Sequence, residues 1–262
     1  MRRSNVSMVA VPRSIDVSDA NAVREVVTRE RPTWIVNAAA MTDVDGAHRD
    51  PDRAFHVNAL GAGNVAAAAQ ALGARTVQIS TEAVFDGEQQ APYREDDACR
   101  PVSVYGASKR AGESLVRILD PASYVLRTSW LYGAVGGANF PTRLLANLRK
   151  GPDDVPVVTD IVGNPTPVAV LADAIVALMA RPCPAGTYHV CCRGAASKFE
   201  WAVSIAEHAG FDPGRIVPVT SASFPTPAAR PKHVDLNVER FEATGLMPLP
   251  DWQEAWRTAA AG

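Results

Sequence analysis

The chain has 262 residues, of which 47% are hydrophobic and 21% charged, and its formal net charge at pH 7 is −2. This composition is typical of a globular protein with a substantial core, and the near-neutral charge gives no electrostatic reason to expect nucleic acid or a membrane as a partner. No segment is apolar for long enough to suggest a secretion signal or a membrane span. We therefore expect a cytoplasmic protein that acts on a small molecule.

Short β-branched runs alternate with helical patterns in the first half of the chain. Strands are predicted at 7–11, 33–39, 75–80 and 123–129, and helices at 18–30, at 50–72 and over a segment that begins near residue 104. Ser18 is the expected N-cap of the first helix. The alternation predicts an α/β fold with a doubly wound parallel sheet.

The second half has a looser rhythm and predicts a smaller lobe. Helices are expected at 141–150, 168–180 and 197–210, and strands at 185–192 and 214–220. We expect a sheet domain over residues 1–130 and a lobe over 131–262, interwoven because helix 168–180 returns to the sheet. The four cysteines show neither disulfide nor metal-ligand spacing, so we expect buried thiols and no metal site.

The stretch VYGASKRAGE places Tyr105 four residues before Lys109 at the start of a predicted helix. Residues four apart share a helix face, so phenol and ammonium can reach the same site. A phenol ionises near pH 10, and an adjacent cation lowers that pKa, which gives the lysine a chemical reason to be there. An exposed helix turn is the alternative interpretation.

A second polar group lies close to this helix in the predicted fold. Thr81 follows strand 75–80 and lies at the carboxyl edge of the sheet, where open α/β folds bind ligands. Its hydroxyl can donate a hydrogen bond to the oxygen that Tyr105 would protonate. The alternative is a threonine that caps the end of a strand.

Six motifs occur in the order found in one known family. They are WIVNAAAMTDVDGAHRDPDRAFHVNALGAGNVAAAA, ISTEAVFDG, PYREDDACRPVSVYGASKRAGE, VLRTSWLYG, VVTDIVGNPTPV and FPTPAARPKHVDL. From about residue 9 onward the chain resembles extended short-chain dehydrogenases/reductases, and most closely the dTDP-4-dehydrorhamnose reductase family of sugar-nucleotide 4-ketoreductases. The resemblance implies a Rossmann-like sheet and the use of NADPH or NADH.

The resemblance also implies roles for individual residues. Thr81, Tyr105 and Lys109 would form the catalytic triad, with Tyr105 as proton donor to the C4 carbonyl oxygen and Lys109 also binding the nicotinamide ribose. The expected cofactor contacts are Asp16, Val17, Ala38, Ala39, Ala40, Tyr105 and Lys109. The expected substrate contacts are Glu82, Trp130, Asn164, Thr166 and Arg230.

Several of these residues have ordinary alternatives, and one motif departs from the family. Trp130 could be a core tryptophan, and Arg230 could be a solvated surface arginine. Glu82 and Ala83 stand where relatives have Asp and Tyr, which alters one wall of the pocket and makes a related 4-keto-6-deoxyhexose plausible as substrate. Arg13 has no acidic neighbour before Asp16, which favours NADPH over NADH.

The glycine-rich turn that binds the pyrophosphate in this family is not found in the sequence. The first glycine is Gly46, and GAGNVA at 61–66 falls within a helical pattern, so we reject it as a nucleotide loop. The chain would open at the second strand of the fold. A start placed too far downstream, a shortened protein with impaired cofactor binding, or a gap filled by another segment could each explain this, and we favour the first.

Three functional hypotheses follow. The leading one is a reductase acting at C4 of a nucleotide-activated 6-deoxy-hexulose in deoxysugar or antibiotic-sugar biosynthesis, with a homodimer possible. The second is a non-catalytic nucleotide-binding subunit resembling the regulatory subunit of methionine adenosyltransferase. The third is a truncated, inactive reductase, which would show low thermal stability and no stabilisation by cofactor.

Overall fold

A parallel sheet forms the centre of the protein. The computed structural model describes residues 7–133 and 139–260. The strands, in chain order, are β1 (Trp34–Asn37), β2 (Arg75–Thr81), β3 (Tyr124–Thr128), β4 (Leu131–Tyr132), β5 (Val155–Val158), β6 (Val162–Gly163), β7 (Thr166–Pro167), β8 (Gly186–His189), β9 (Ala196–Ser197) and β10 (Ile216–Val219). Among the described residues, β1, β2, β3 and β8 form a four-stranded sheet in that order, and every pairing is parallel. The carboxyl ends of these strands therefore meet at one edge.

The helices surround this sheet. They are α1 (Ala20–Glu30), α2 (Val44–Arg49), α3 (Pro51–Phe55), α4 (Gly61–Ala71), α5 (Val104–Leu119), α6 (Phe140–Lys150), α7 (Val168–Ala180), α8 (Lys198–His208), α9 (Glu239–Glu242) and α10 (Trp252–Ala260). A π-helical turn, His56–Leu60, joins α3 to α4. Short 3₁₀ turns lie at Glu82–Val84, Pro213–Arg215 and Ser221–Ser223.

The side chains of β3 show that the sheet is covered on both faces. Val125 packs with Ala62 and Ala66 of α4 and with Val116 of α5. The neighbouring Leu126 points to the other face, where it packs among residues of α7. Successive side chains of a strand point to opposite faces of the sheet, and all five residues of β3 are buried. Both faces of the sheet are therefore covered at β3. The expectation of a parallel sheet with helices on both faces is confirmed.

A second core lies beyond the sheet. Trp201 of α8 is its centre, with ring contacts to Tyr132, Phe140 and Trp256. The strands β5 and β10 pair in parallel beside it. The core on one face of the main sheet, which contains Leu126, also includes residues of α7. This helix therefore packs on the main sheet, whereas α6, which precedes it in the chain, packs in the second core.

The predicted strand at 7–11 is wrong. No strand forms there within the described residues, and Met8, Val9 and Val11 are 83%, 59% and 51% exposed. A strand is stabilised by pairing with a neighbour and by burying one apolar face, and this segment has neither here. The sequence of residues 7–11 indicated only a local preference for the β conformation.

The start of α1 also differs from the prediction. The helix begins at Ala20, and Asp19 is its N-cap, with a carboxylate that accepts hydrogen bonds from the backbone N–H groups of Asn21 and Ala22. The Ser18 hydroxyl instead donates to Asp16 at 2.8 Å. An ionised carboxylate is the stronger acceptor, so the aspartate takes the position at which a serine was expected.

Most other predicted elements agree with the structure to within a few residues, and helix 168–180 agrees at both ends. The predicted helix 50–72 is instead α3, the π turn and α4, and the segment 61–66 lies in α4, which supports its rejection as a nucleotide loop. Cys191 and Cys192 are fully buried, whereas Cys99 and Cys183 are only partly so. No described helix is long and apolar enough to cross a membrane, and no described cluster of side chains could hold a metal ion.

Candidate active site

The tyrosine and lysine of interest lie on α5, as predicted. Ser103 caps this helix, and its hydroxyl accepts a hydrogen bond from the N–H of Gly106 at 3.1 Å. Tyr105 therefore falls in the first turn and is partly buried, while Lys109 lies one turn later and is 5% exposed. The N-terminal end of α5 thus carries the phenol toward the carboxyl edge of the sheet.

A buried ion pair fixes α5 against two strands. Glu113 of α5 receives two hydrogen bonds from the guanidinium of Arg127 on β3, at 2.9 and 2.8 Å. The Ser80 hydroxyl on β2 donates to the same carboxylate at 2.6 Å. Both charged side chains are nearly inaccessible to solvent. The bidentate geometry sets the rotation of α5 about its axis, and so the direction of Tyr105 and Lys109.

Two glycines let α5 approach its neighbours closely. A Cβ atom on Gly106 would lie 2.1 Å from the carbonyl oxygen of Ala83, and one on Gly112 would lie 2.2 Å from the carbonyl oxygen of Asn58. Neither backbone oxygen can move aside as a flexible side chain could. The helix therefore sits against the turn that follows Thr81 and against the π turn, at a distance that excludes a side chain.

Thr81 and Glu82 form the wall opposite Tyr105. Thr81 ends β2, and its hydroxyl donates a hydrogen bond to the Glu82 carboxylate at 2.8 Å. Burial raises the pKa of Glu82, and the Thr81 hydrogen bond opposes this rise. Burial and the nearby Glu82 charge together raise the pKa of Tyr105, against a smaller lowering by the Thr81 hydroxyl. The phenol is therefore protonated at neutral pH.

Lys109 does not act on the phenol as the sequence led us to expect. Its ammonium donates to the carbonyl oxygen of Ile79 at 2.7 Å. Burial lowers the pKa of Lys109 to about 8, and Glu113 opposes this change. The expected lowering of the Tyr105 pKa is not seen, because desolvation of the buried phenol dominates. The Lys109 ammonium stays mostly charged at pH 7, because its pKa remains above 7.

Trp130 lies between β3 and β4 in a left-handed conformation, with φ of 39°. This conformation is costly for a tryptophan and indicates a position that its surroundings impose. The indole stacks on Trp201 with 5.8 Å between ring centroids, and it faces Gly163, where a Cβ would lie 2.6 Å from the ring. Lys198 of α8 holds its ammonium 3.3 Å from the Trp130 centroid. Trp130 therefore packs against the second core with part of its surface exposed, and its contact with substrate stays a prediction.

The other predicted cofactor contacts lie just after β1, whose carboxyl end is beside that of β2, and in the segment before α1. Ala38 and Ala39 are exposed just after β1, and Ala40 is partly exposed. Asp16 is exposed, and the backbone N–H and hydroxyl of Ser18 lower the pKa of its carboxyl group. The Val17 carbonyl accepts a hydrogen bond from Asn64 at 3.0 Å, which ties this segment to α4.

Asn164 and Thr166 are completely buried, which the sequence did not predict. The Asn164 amide donates to the Gly194 carbonyl and to Asp235, and its oxygen accepts from the N–H of Leu236. The Thr166 hydroxyl donates to the Asn164 carbonyl and accepts from the N–H of Cys192. With these groups engaged, neither side chain is presented to a ligand, and both hold neighbouring loops in place.

Arg230 is not simply a solvated surface arginine, because its side chain is paired with a carboxylate. Its guanidinium forms an ion pair with Asp45 of α2 at 3.0 Å and donates to the Ala228 carbonyl at 2.8 Å. The same carboxylate accepts from the N–H of Ala228. Arg230 therefore connects the segment before residue 231 to α2, and a diphosphate would have to compete with Asp45 for it.

Three residues of the site were missed by sequence reasoning. Lys198 is 93 residues from Tyr105 in the chain, so only folding brings α8 to the site. Glu113 had no local signal beyond its helical position. Asn58 lies in the π turn, where its amide donates to the Ser108 hydroxyl and to the Met41 carbonyl. Such turns often mark functional regions. The sequence alone predicted a regular helix there.

Comparison with known proteins places this geometry in a family. The family model described as RmlD substrate binding domain matches residues 1–261. A dTDP-4-dehydrorhamnose reductase from Streptomyces griseus is 40% identical over 97% of this chain and 84% of its own length. The crystal structure of a dTDP-4-dehydrorhamnose reductase from Clostridium acetobutylicum superposes with a TM-score of 0.93 at 35% identity, covering 99% of this chain and 91% of that one.

A structure with a bound nucleotide is also similar. The dTDP-4-dehydrorhamnose reductase from Bacillus anthracis, solved in complex with NADP, has a TM-score of 0.88 at 37% identity, covering 94% of this chain and 86% of that one. The sheet, the helix that carries Tyr105 and Lys109 and the second core thus belong to a Rossmann-like fold that these reductases share. This chain is a member of the RmlD family of extended short-chain dehydrogenases/reductases.

Proposed function

We propose that this protein uses NADPH to reduce the C4 ketone of a nucleotide-activated 6-deoxy-hexulose, as a step in deoxysugar biosynthesis. The observation that carries the proposal is the placement of Thr81, Tyr105 and Lys109 around the carboxyl end of β2 in a chain of this family. The names of the relatives support a dTDP-linked substrate. The bound NADP of one similar structure supports NADPH over NADH.

Tyr105 is the proton donor in this proposal. Burial and Glu82 keep the phenol protonated at neutral pH, so it can give a proton to the C4 oxygen as the carbonyl becomes an alcohol. When bound, the reduced nicotinamide supplies the hydride to C4. The mostly charged Lys109 lies one turn away on α5 and donates to the Ile79 carbonyl, so the role proposed for it is to hold the nicotinamide ribose and not to shift the pKa of the phenol.

The described residues fit a nicotinamide dinucleotide along one edge of the sheet. Ala38 and Ala39 are exposed after β1, and their small side chains allow close approach to the backbone. The ionised Asp16 could accept a ribose hydroxyl, and the exposed Arg13 could meet a 2′-phosphate. Lys109 and Tyr105 would hold the nicotinamide ribose.

Substitution of the phenol tests the proposed reaction. The protein is incubated with NADPH and a dTDP-4-keto-6-deoxyhexose, and loss of absorbance at the nicotinamide band is followed. We expect turnover by the wild type and a fall in kcat of about 10²- to 10⁴-fold in Tyr105→Phe, because the ring remains and only the transferable proton is lost.

Tyr188→Phe is the matched control. Its hydroxyl donates to the Pro184 carbonyl at 2.7 Å, away from the site, so kcat should stay within about twofold of the wild type. No turnover by the wild type on any 4-keto-6-deoxyhexose would reject the proposed function. A fully active Tyr105→Phe variant would reject the assignment of the proton donor.

A further inference from the structure

A chain of hydrogen bonds leads from the loop after β1 to Lys109. The Ala39 N–H donates to the Asn37 amide oxygen at 3.1 Å, and the Asn37 amide nitrogen donates to the Gln78 amide oxygen at 2.8 Å. The Gln78 amide nitrogen then donates to the Ile79 carbonyl oxygen at 2.8 Å. The same carbonyl oxygen accepts from the Lys109 ammonium at 2.7 Å. Two side-chain amides therefore connect the loop to the carbonyl that holds the ammonium.

The two ends of this chain determine the direction of every bond in it. It begins at a backbone N–H, which can only donate, and it ends at a backbone carbonyl, which can only accept. Each amide must therefore accept on the side of Ala39 and donate on the side of Ile79. Asn37 and Gln78 lie opposite each other where the pairing of β1 with β2 ends. The carbonyl that receives the two side-chain donors belongs to the next residue of β2.

The burial of these two amides indicates a role beyond packing. Asn37 is 5% exposed and Gln78 is 2% exposed. Removing an amide from water costs free energy that an apolar side chain in the same place does not cost. The residue of β3 in register with Gln78 is the fully buried Val125, so this part of the sheet accepts apolar side chains. The amide pair therefore occupies a position where packing alone favours apolar residues.

The position of the Lys109 ammonium depends on the Ile79 carbonyl. Over residues 7–133 and 139–260 this carbonyl oxygen is the one hydrogen-bond acceptor of the ammonium, and the lysine is 5% exposed. An ammonium has three donors, so two remain for a ligand. Hydrogen bonds that share a group polarise and orient one another in a low-dielectric interior. The bond from Gln78 therefore restricts the direction of the carbonyl, and with it the place of the cation.

We propose that Gln78 is a positioning residue for Lys109, because its amide fixes the carbonyl that holds the ammonium and ties that carbonyl, through Asn37, to the loop of residues 38–40. This assignment rests on the proposed function, in which Lys109 holds the nicotinamide ribose and the loop lies along the dinucleotide. Gln78 acts through the Ile79 carbonyl and needs no contact with the cofactor. Its loss should therefore weaken the contacts made by Lys109 and spare those made elsewhere along the dinucleotide.

NADPH and 2′,5′-ADP test the assignment, because 2′,5′-ADP lacks the nicotinamide ribose. Equilibrium binding of each ligand is measured by calorimetry with the wild type and Gln78→Met, which keeps the length of the side chain and loses the amide. We expect Gln78→Met to bind NADPH about 10-fold more weakly and 2′,5′-ADP within about twofold of the wild type. In a Lys109→Met background the same substitution should change NADPH affinity by less than about twofold, because the positioned group is absent.

Thr76→Val is the matched control. Thr76 lies two residues earlier on β2, so its side chain points to the same face of the sheet as that of Gln78. Its buried hydroxyl has no hydrogen-bond partner in the part of the chain that the structure describes. This variant should bind both ligands as the wild type does. The double variant Asn37→Leu, Gln78→Met removes both amides together, so neither is left unpaired if Gln78→Met is unstable, and it should show the same selective loss of NADPH affinity.

Four results would overturn the assignment. They are unchanged NADPH affinity in Gln78→Met, an equal loss for both ligands, a loss that adds fully to that of Lys109→Met, and no binding of NADPH by the wild type. Turnover of a 4-keto-6-deoxyhexose is measured separately. A protein that shows the expected binding pattern and reduces no such sugar would reject the proposed reaction and retain the assignment of Gln78.

Discussion

At the scale of single residues, the site depends on a carboxylate that touches no ligand. Glu113 joins α5 to β2 and β3 by accepting hydrogen bonds from Ser80 and Arg127. Because both charges are withdrawn from water, each needs the other, and loss of Arg127 leaves the buried carboxylate with Arg110, whose side chain is 42% exposed, as its ion-pair partner. The pair therefore acts on the direction of Tyr105 through the helix that carries both residues.

Arg127→Met removes the cation and leaves Glu113 buried. We expect the free energy of unfolding to fall by about 3–5 kcal/mol, measured by urea denaturation. The exposed pair of Arg29 and Glu30 offers the control, and Arg29→Ala should cost less than about 1 kcal/mol. Equal losses in the two variants would show that the buried pair has no special role.

The same scale shows what the sequence could predict of the site. Tyr105, Lys109 and Thr81 could be proposed because each lies in a short motif whose spacing has a chemical meaning. Lys198 could not, because two of the three aromatic rings around its ammonium, Trp130 and Phe140, lie on other segments of the chain. Asn164 and Thr166 were predicted to face the substrate, but burial is a property of the folded chain and the motif did not contain it.

At the scale of elements, the close packing of α5 decides where the catalytic candidates lie. The helix is amphipathic, and its glycines at 106 and 112 meet backbone oxygens of the turn after β2 and of the π turn. Close contact at two points fixes the distance of α5 from both neighbours. The sequence predicted the helix and its start, but it did not show which residues the glycines would touch.

Gly106→Ala should disturb this packing. Its Cβ would lie 2.1 Å from the Ala83 carbonyl oxygen, so the helix or the turn must move, at a cost of about 1–3 kcal/mol or more in the free energy of unfolding. We also expect lower kcat, because Tyr105 is the preceding residue. Gly151→Ala is the control: no atom lies within 4 Å of its Cβ position and its backbone is extended. Wild-type stability and activity in Gly106→Ala would contradict this account.

At the scale of the whole molecule, His189 contacts segments that are far apart in the chain. It ends β8, lies edge-on to Phe85 at 5.7 Å, and has Nδ1 3.1 Å from the Asn237 carbonyl oxygen, while its backbone N–H donates to Glu95. Burial, with a smaller effect of Arg127, lowers the pKa of His189 to about 3. The ring is therefore neutral in the folded protein over most of the pH range.

This shift predicts how stability depends on pH. Between pH 6.5 and about 3 the unfolded chain binds a proton at this position that the folded protein does not, so the free energy of unfolding falls as the pH is lowered. In His189→Gln the decline should be shallower by up to about 1.4 kcal/mol per pH unit. Denaturant unfolding between pH 4 and 7 measures the slope.

The control is His48→Gln, since His48 is exposed on α2, and its slope should match that of the wild type. An unchanged slope in His189→Gln would show that the ring does not stay neutral in the folded protein.

The amino-acid sequence by itself determined the α/β class, most of the helices, the four strands of the main sheet and the Tyr105–Lys109 pair, because these follow from short-range periodicity and spacing. Tertiary structure alone decided that residues 7–11 stay unpaired, that Asn164 and Thr166 are buried, and that the Lys198 ammonium lies against the ring of Trp130. Each of these depends on contacts between segments far apart in the chain, and local pattern carries no information about which distant surface will be present.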